Sequence, residues 1–231
     1  MSRVLVYCHG AGEYMPGYSD SWWAALKPYT QAYGEGVIQS SRYEVLWSDI
    51  LNWSGESEVL AIFRDFMGYL YNEATRLQVL KRFADTVQPL LLAGHTVDVI
   101  AHSEGTIVAY EGLRMIPPGL GNVLNFFTLG TALGYAWNPL VPDSNVRDHL
   151  LAGNASGDRP AVVKNWWNVF ASGDPFASPL EPAYSVTEDF GPVDPTGCAG
   201  WKPLCCHGSY FNPSNVAVQR DILAARINAA T

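Results

Sequence analysis

The stretch Val97-Asp-Val-Ile-Ala-His-Ser-Glu-Gly-Thr-Ile-Val-Ala-Tyr110 decides how the rest of this chain is read. Its first half is a near-continuous apolar run, as a strand buried on both faces of a parallel sheet requires. Its second half reads as a helix from Gly105 to Met115, ended by Pro117-Pro118. Between them stands Ala101-His-Ser-Glu-Gly105. A serine at a sharp strand-to-helix turn takes a strained backbone conformation, so the residues two before and two after it must be small. Ala101 and Gly105 meet that demand. Such a turn lifts the Ser103 hydroxyl above the carboxyl end of the sheet and aims free helix N–H groups at it. The plainer alternative is an ordinary turn with Ser103 as helix N-cap. The strand before it and the helix after it favour the strained turn.

Outward from this centre, strands and helices alternate, which predicts a mostly parallel sheet with helices on both faces. Arg3-Val-Leu-Val-Tyr-Cys8 is the first strand, and a helix is expected from Asp20, a suitable N-cap. Arg42-Tyr-Glu-Val-Leu-Trp47 is the second strand. Two helices follow, from about 58 to 71 and from about 73 to 92, the latter kinked or ended near Pro89 and closed by Gly94. Val97 to His102 is the third strand, Asn122 to Leu129 the fourth and Lys164 to Ala171 the fifth. The last helix spans about 215 to 229. Stretches 131–163 and 175–206 are Gly- and Pro-rich without clear periodicity, and loops this long in a compact domain are usually functional or mobile. The length of 231 residues suits one domain, with no linker to divide it.

A serine hydroxyl attacks only when a general base takes its proton. Downstream of Ser103 stand His149 and His207. His149 lies in the charged Arg147-Asp-His run, which reads as a solvated helix turn. His207 lies in a loop, Cys205-Cys-His-Gly-Ser209, just before the last helix, and is the candidate base. The carboxylate that orients it should follow a late strand. Asp174 does so, with Pro175 blocking helical continuation, although Gly-Asp-Pro is also good turn chemistry. Asp194 and Glu188 compete but sit in an irregular loop. The oxyanion of a tetrahedral intermediate needs two backbone N–H donors. Glu104, next after the nucleophile, supplies one. Ala11 in His9-Gly-Ala-Gly12 supplies the other, with Gly10 as the fallback. That loop has no G-x-G-x-x-G, so it is not a dinucleotide fingerprint.

With 48% hydrophobic and 16% charged residues, the chain can bury a substantial core. The formal net charge of −8 argues against a nucleic-acid partner, which would select a basic face. No run approaches the roughly 20 apolar residues of a transmembrane helix. Met1-Ser2 leads straight into the first strand, leaving no apolar core for a signal peptide. A cytoplasmic location is therefore expected, with signal-free export leaving no trace. In that reducing setting Cys8, Cys198, Cys205 and Cys206 are expected as free thiols; under oxidation Cys198 could close a small loop with Cys205 or Cys206. A zinc site from the late cysteines and His207 is disfavoured by the lack of a C-x-x-C unit.

Taken together, these segments resemble the α/β-hydrolases of lipase and esterase type. Val97 to Tyr110 looks like their nucleophile region and His9-Gly-Ala-Gly12 like their oxyanion loop. Phe127-Thr-Leu-Gly-Thr-Ala-Leu133 is similar to the strand that follows the nucleophile helix. Trp167-Asn-Val-Phe through Asp174-Pro resembles the acid loop and His207-Gly-Ser-Tyr-Phe211 the histidine loop. The departures are Ala101 in place of glycine and the acidic Glu104, whose side chain would line the mouth. Carried over residue by residue, the resemblance implies an α/β-hydrolase fold and a Ser103–His207–Asp174 triad. It also implies ester hydrolysis through an acyl-enzyme, a small-molecule or lipid ester as substrate, and no metal or cofactor. A thioesterase or acyltransferase would use the same triad, and a non-catalytic binding module could share the fold. Tyr135, Trp137, Phe176, Tyr184, Phe190 and Trp201 fall in the two irregular stretches, and loops of an α/β sheet gather at its carboxyl edge. Some are expected to wall an apolar acyl pocket, with Gly10, Trp137 and Phe176 as the substrate-binding candidates. The plainer alternative is that these rings only pack the loops onto the core.

Overall fold

The computed structural model describes residues 2–33, 41–51, 67–134, 157–198 and 202–229. β1 (Arg3–Cys8), β2 (Arg42–Val45), β3 (Thr96–His102), β4 (Val123–Leu129), β5 (Val163–Ala171) and β6 (Glu188–Val193) form one six-stranded sheet. Their order is β2-β1-β3-β4-β5-β6 and every pairing is parallel. The helices are α1 (Asp20–Leu26), α2 (Glu73–Leu92), α3 (Gly105–Met115) and α4 (Pro203–Gly208). A π-helical stretch, Ala217–Ala224, then runs into α5 (Ala225–Ala229).

A sheet covered on both faces needs apolar side chains at successive positions, and β1 and β3 provide them. Val4, Val6, Cys8, Val97, Val99 and Ala101 face Val79, Phe83 and Val87 of α2 and Ile107, Val108 and Leu113 of α3. Leu5, Tyr7, Ile100, Phe127 and Val169 face the other way, against Trp22 and Leu26 of α1 and Val218, Ile222 and Ile227 near the C-terminus. Each such side chain contributes roughly 1.5–3 kcal/mol when fully buried. The protein is thus an α/β fold with helices on both faces of a parallel sheet.

The strand order matters for function. From β1 the chain steps outward to β2, then returns to the opposite side of β1 to form β3. Between β1 and β3 the connections diverge, and the crevice beyond the carboxyl ends of two such strands is where α/β sheets bind ligands. His9 and Gly10 follow β1, and Ser103 follows β3.

Four expectations change. Glu188–Val193, read as irregular, is the sixth strand; Gly191 and a cis Pro192 break its alternation, which an edge strand tolerates. α2 runs through Pro89 to Leu92, because Leu90 and Leu91 bury against the core and outweigh the missing N–H. The N-cap of α1 is Ser19 rather than Asp20, and Ser19 turns its N–H and hydroxyl to the Glu44 carboxylate at 2.8 and 2.6 Å. His207 lies on the short helix α4 rather than in a loop, with Pro203 in its first turn. Most of the helix expected from about 58 to 71 falls outside the described residues; 67–71 is helical.

Candidate active site

Ser103 has φ 54°, the only non-glycine residue with positive φ among the described residues. A β-carbon on a left-handed backbone costs roughly 1–2 kcal/mol, so the turn is held by its surroundings. Ser103 N–H donates to the Leu129 carbonyl at 3.0 Å, and Thr106 Oγ1 closes the turn on the Ser103 carbonyl at 2.6 Å. Gly105 lets α3 start directly against β1. A Cβ there would overlap the His9 carbonyl oxygen and sit 2.7 Å from that of Cys8. Gly10 approaches from the same side, since a Cβ on it would lie 2.6 Å from Ser103 Cβ and 3.2 Å from Ser103 Oγ. Gly105 is therefore required by the backbone at the end of β1, and Gly10 by Ser103 itself.

Asp174 and His207 are brought together. Asp174 follows β5 and is buried, and both of its carboxylate oxygens lie 3.0 Å from His207 Nδ1. Tyr210, one turn beyond the histidine, donates its hydroxyl to Asp174 Oδ2 at 2.6 Å while accepting the Ala171 N–H at 2.9 Å. The Phe176 N–H donates to Asp174 Oδ1 at 2.9 Å. Burial pushes the Asp174 carboxyl up, but the bonds and charge of His207, then Tyr210 and Phe176, outweigh it, and its pKa ends below the usual value. An ionised Asp174 makes Nδ1 the protonated nitrogen of His207 and leaves Nε2 with its lone pair. Gly130, φ 60°, joins this pair to the serine turn: it follows Leu129, and a Cβ on it would lie 3.1 Å from Asp174 Oδ2 and 3.2 Å from His207 Cε1. No hydrogen bond joins Ser103 Oγ to His207 among the described residues; such contacts often tighten only with substrate bound.

The loop after β1 is locked by a buried ring. Trp47 N–H donates to His9 Nε2 at 3.1 Å, so the His9 proton sits on Nδ1, which donates to the Gly10 carbonyl at 2.7 Å. Burial lowers the His9 pKa to about 4, keeping the ring neutral, and it lies stacked between Tyr14 and Trp47. In a planar trans amide the N–H points opposite to the C=O. Fixing the Gly10 carbonyl therefore fixes the Ala11 N–H, which faces away from His9. Glu104, whose N–H follows Ser103, is only 2% exposed and close enough to Cys8 and Tyr69 to raise their pKa values. It is buried beneath the turn rather than lining the mouth.

The aromatic residues divide. Phe176 is half-buried with its ring centroid 4.8 Å from that of His207, so it borders that imidazole. Tyr184 is core, against Tyr110 and Trp166, with its hydroxyl on the Leu133 carbonyl. Phe190 lies on β6 against Trp167, on the face covered by the C-terminal helices. Both rings pack against the core rather than walling a pocket beside Ser103. Trp137, Tyr135, Trp201 and the competing His149 lie outside the described residues. Asp194 directly follows β6, and Glu188 opens that strand, yet Asp174 is the carboxylate bonded to His207. Tyr210, His9 and His102 lie at the candidate site and were not singled out by the sequence; each is bonded to a neighbour that no local pattern announces.

Cys198 and Cys205 form a disulfide, with Cα atoms 5.7 Å apart, while Cys8 and Cys206 are free and buried. The bridge replaces the expected free thiols, removes two ligands from the zinc alternative, and ties residue 198 to the helix that carries His207. Disulfides persist in oxidising surroundings, so this one lends no support to a cytoplasmic location. No helix among the described residues is long and apolar enough to cross a membrane.

The sequence matches no protein-family profile and no curated protein. Among solved structures, phospholipase PlaB from Legionella pneumophila in complex with thio-NAD is similar to this chain with a TM-score of 0.31 at 11% identity. The overlap covers 72% of this chain and 37% of that one, and one this loose carries no weight for the reaction.

Proposed function

We propose that this chain is a serine hydrolase of the α/β-hydrolase type that cleaves carboxylic esters through an acyl-enzyme. The carrying observation is the buried Asp174–His207 pair, bonded through Nδ1 and so leaving Nε2 for the substrate side, at the same sheet edge as Ser103 on its strained turn. Ser103 Oγ attacks the ester carbonyl as its proton passes to His207 Nε2. Asp174 holds the imidazole in the required tautomer and stabilises the imidazolium. The Ala11 and Glu104 N–H groups receive the negative charge on the carbonyl oxygen. Collapse of that intermediate breaks the C–O bond, and His207 returns its proton to the departing alcohol. Water, deprotonated by the same histidine, then hydrolyses the acyl-serine and regenerates the hydroxyl.

The substrate is a small-molecule or lipid ester, with Gly10 and Phe176 beside the reaction centre. The test is reaction with a fluorophosphonate and turnover of p-nitrophenyl esters of increasing chain length. Wild type should do both and Ser103→Ala neither. Undiminished turnover by Ser103→Ala would end this reading.

A further inference from the structure

His102 is a buried histidine beside the nucleophile that the proposed mechanism does not use. Its side chain leaves β3 on the face opposite Ala101 and lies among Trp22, Tyr210 and Phe211, with its centroid 4.7 Å from that of His207. Nε2 is 2.8 Å from the backbone carbonyl of His207, 105 residues away in sequence. A carbonyl oxygen only accepts, so Nε2 carries the proton and donates. Burial drives the pKa of His102 down to about 3, so the ring is neutral at working pH and its Nδ1 is a bare lone pair. A neutral imidazole costs less to bury than a charged one, and it still holds one directed N–H for this bond.

We propose that His102 is a positioning residue for the general base: its Nε2–H pins the His207 main chain to the residue preceding Ser103. The inference rests on the triad reading above. Asp174 fixes the His207 ring at Nδ1, but that bond does not hold the main chain of α4 from which the ring hangs. α4 is short, and the Cys198–Cys205 bridge tethers it two residues from His207. The His102 bond connects the base to β3 itself, the strand that places the nucleophile. Distance and angle between Nε2 of His207 and Oγ of Ser103 are thereby set through a single rigid strand end.

The test compares His102→Phe, which keeps a packed ring and loses the donor, with His102→Gln, whose amide nitrogen can occupy the Nε2 position. Two readouts are taken on the full chain. The first is kinetic: kcat and KM on p-nitrophenyl butyrate, and the rate of fluorophosphonate labelling. Phe should lower kcat and the labelling rate on the order of 10- to 100-fold, as loss of a supporting partner does elsewhere, with KM little changed. Gln should recover most of that loss. The second readout is amide hydrogen exchange over 203–209, which should speed up in Phe and stay near wild type in Gln. Wild-type rates and exchange in His102→Phe, or a Phe variant more active than Gln, would overturn the proposal by showing that packing alone is required. If wild type fails to label at all while the exchange pattern holds, the triad reading falls and the pin on His207 stands.

Discussion

Asp98 and Asp174 are both buried carboxylates, at opposite ends of the same sheet, and they are partnered differently. Asp98, on β3, receives Arg3 Nε at 2.6 Å, the Tyr33 hydroxyl at 2.8 Å and the Asn125 amide at 2.7 Å. Its cationic partner never gives up its proton. Asp174 receives Tyr210, the Phe176 N–H and an imidazole. Its partner is an imidazole, whose proton can sit on either ring nitrogen. Four residue steps along the strand, about 13 Å, separate Asp98 from His102 at its end. The sheet thus carries a closed ion pair on β3, where it only has to hold together, and a carboxylate–imidazole pair beyond the end of β5, where chemistry is proposed.

That contrast is sharpest in mutants. Asp174→Asn should lower kcat on the order of 10³- to 10⁴-fold, because it favours the wrong His207 tautomer, while the denaturant midpoint moves little. Asp98→Ala should do the reverse, costing roughly 3–5 kcal/mol of stability by removing the acceptor that Arg3, Tyr33 and Asn125 share. The folded fraction should keep near-wild-type kcat. Paired urea titrations and initial rates check both, and equal activity losses in the two variants would erase the distinction.

A second contrast is acid sensitivity. His9 and His102 titrate at about 4 and about 3 in the folded protein, below the ordinary 6.5 they regain on unfolding. As pH falls below about 6.5 the unfolded chain takes up protons that the folded one refuses, so stability is present above that pH and lost on the way down. His9 alone accounts for on the order of 3 kcal/mol between about pH 6.5 and 4. Asp174, with its depressed pKa, adds its own loss only below the usual carboxylate range. Urea midpoints measured from about pH 7 to 4.5 should fall steadily in wild type and less steeply in His9→Gln. An unchanged slope in that variant would contradict the neutral, buried state of His9.

The smallest effect concerns the acyl group. Octanoate esters should be preferred to acetate, since each buried methylene adds roughly 0.8 kcal/mol. Phe176→Ala should narrow that preference by about fourfold for each methylene it leaves exposed. Equal kcat/KM on the two esters in wild type would rule out an apolar acyl pocket.

Much of the sheet was legible because its strands are apolar runs bounded by Gly, Pro or polar residues. β1 and α3 match the sequence-based bounds to the residue, and β3, β4 and β5 each differ by one. β6 was hidden by Gly191-Pro192, which erases the alternation that marks a strand. The strained turn at Ser103 was legible from the demand for small neighbours, and the Gly105 contact with the backbone at the end of β1 gives that demand its cause. The pairing of Asp174 with His207 was inferred from chain order. The support around it was not, because Tyr210 to Asp174, His102 to His207 and His9 to Trp47 are contacts between segments far apart in sequence. Long-range bonds of this kind leave no periodicity to read.

Covalent labelling tests the reading of Ser103 most directly. Wild-type protein is treated with a fluorophosphonate and digested, and the modified peptide is sequenced by mass spectrometry. The adduct should sit on Ser103, and His207→Ala should slow its formation on the order of 10³-fold or more. An adduct on another residue, or equal labelling of Ser103 in wild type and His207→Ala, would contradict a serine nucleophile activated by His207.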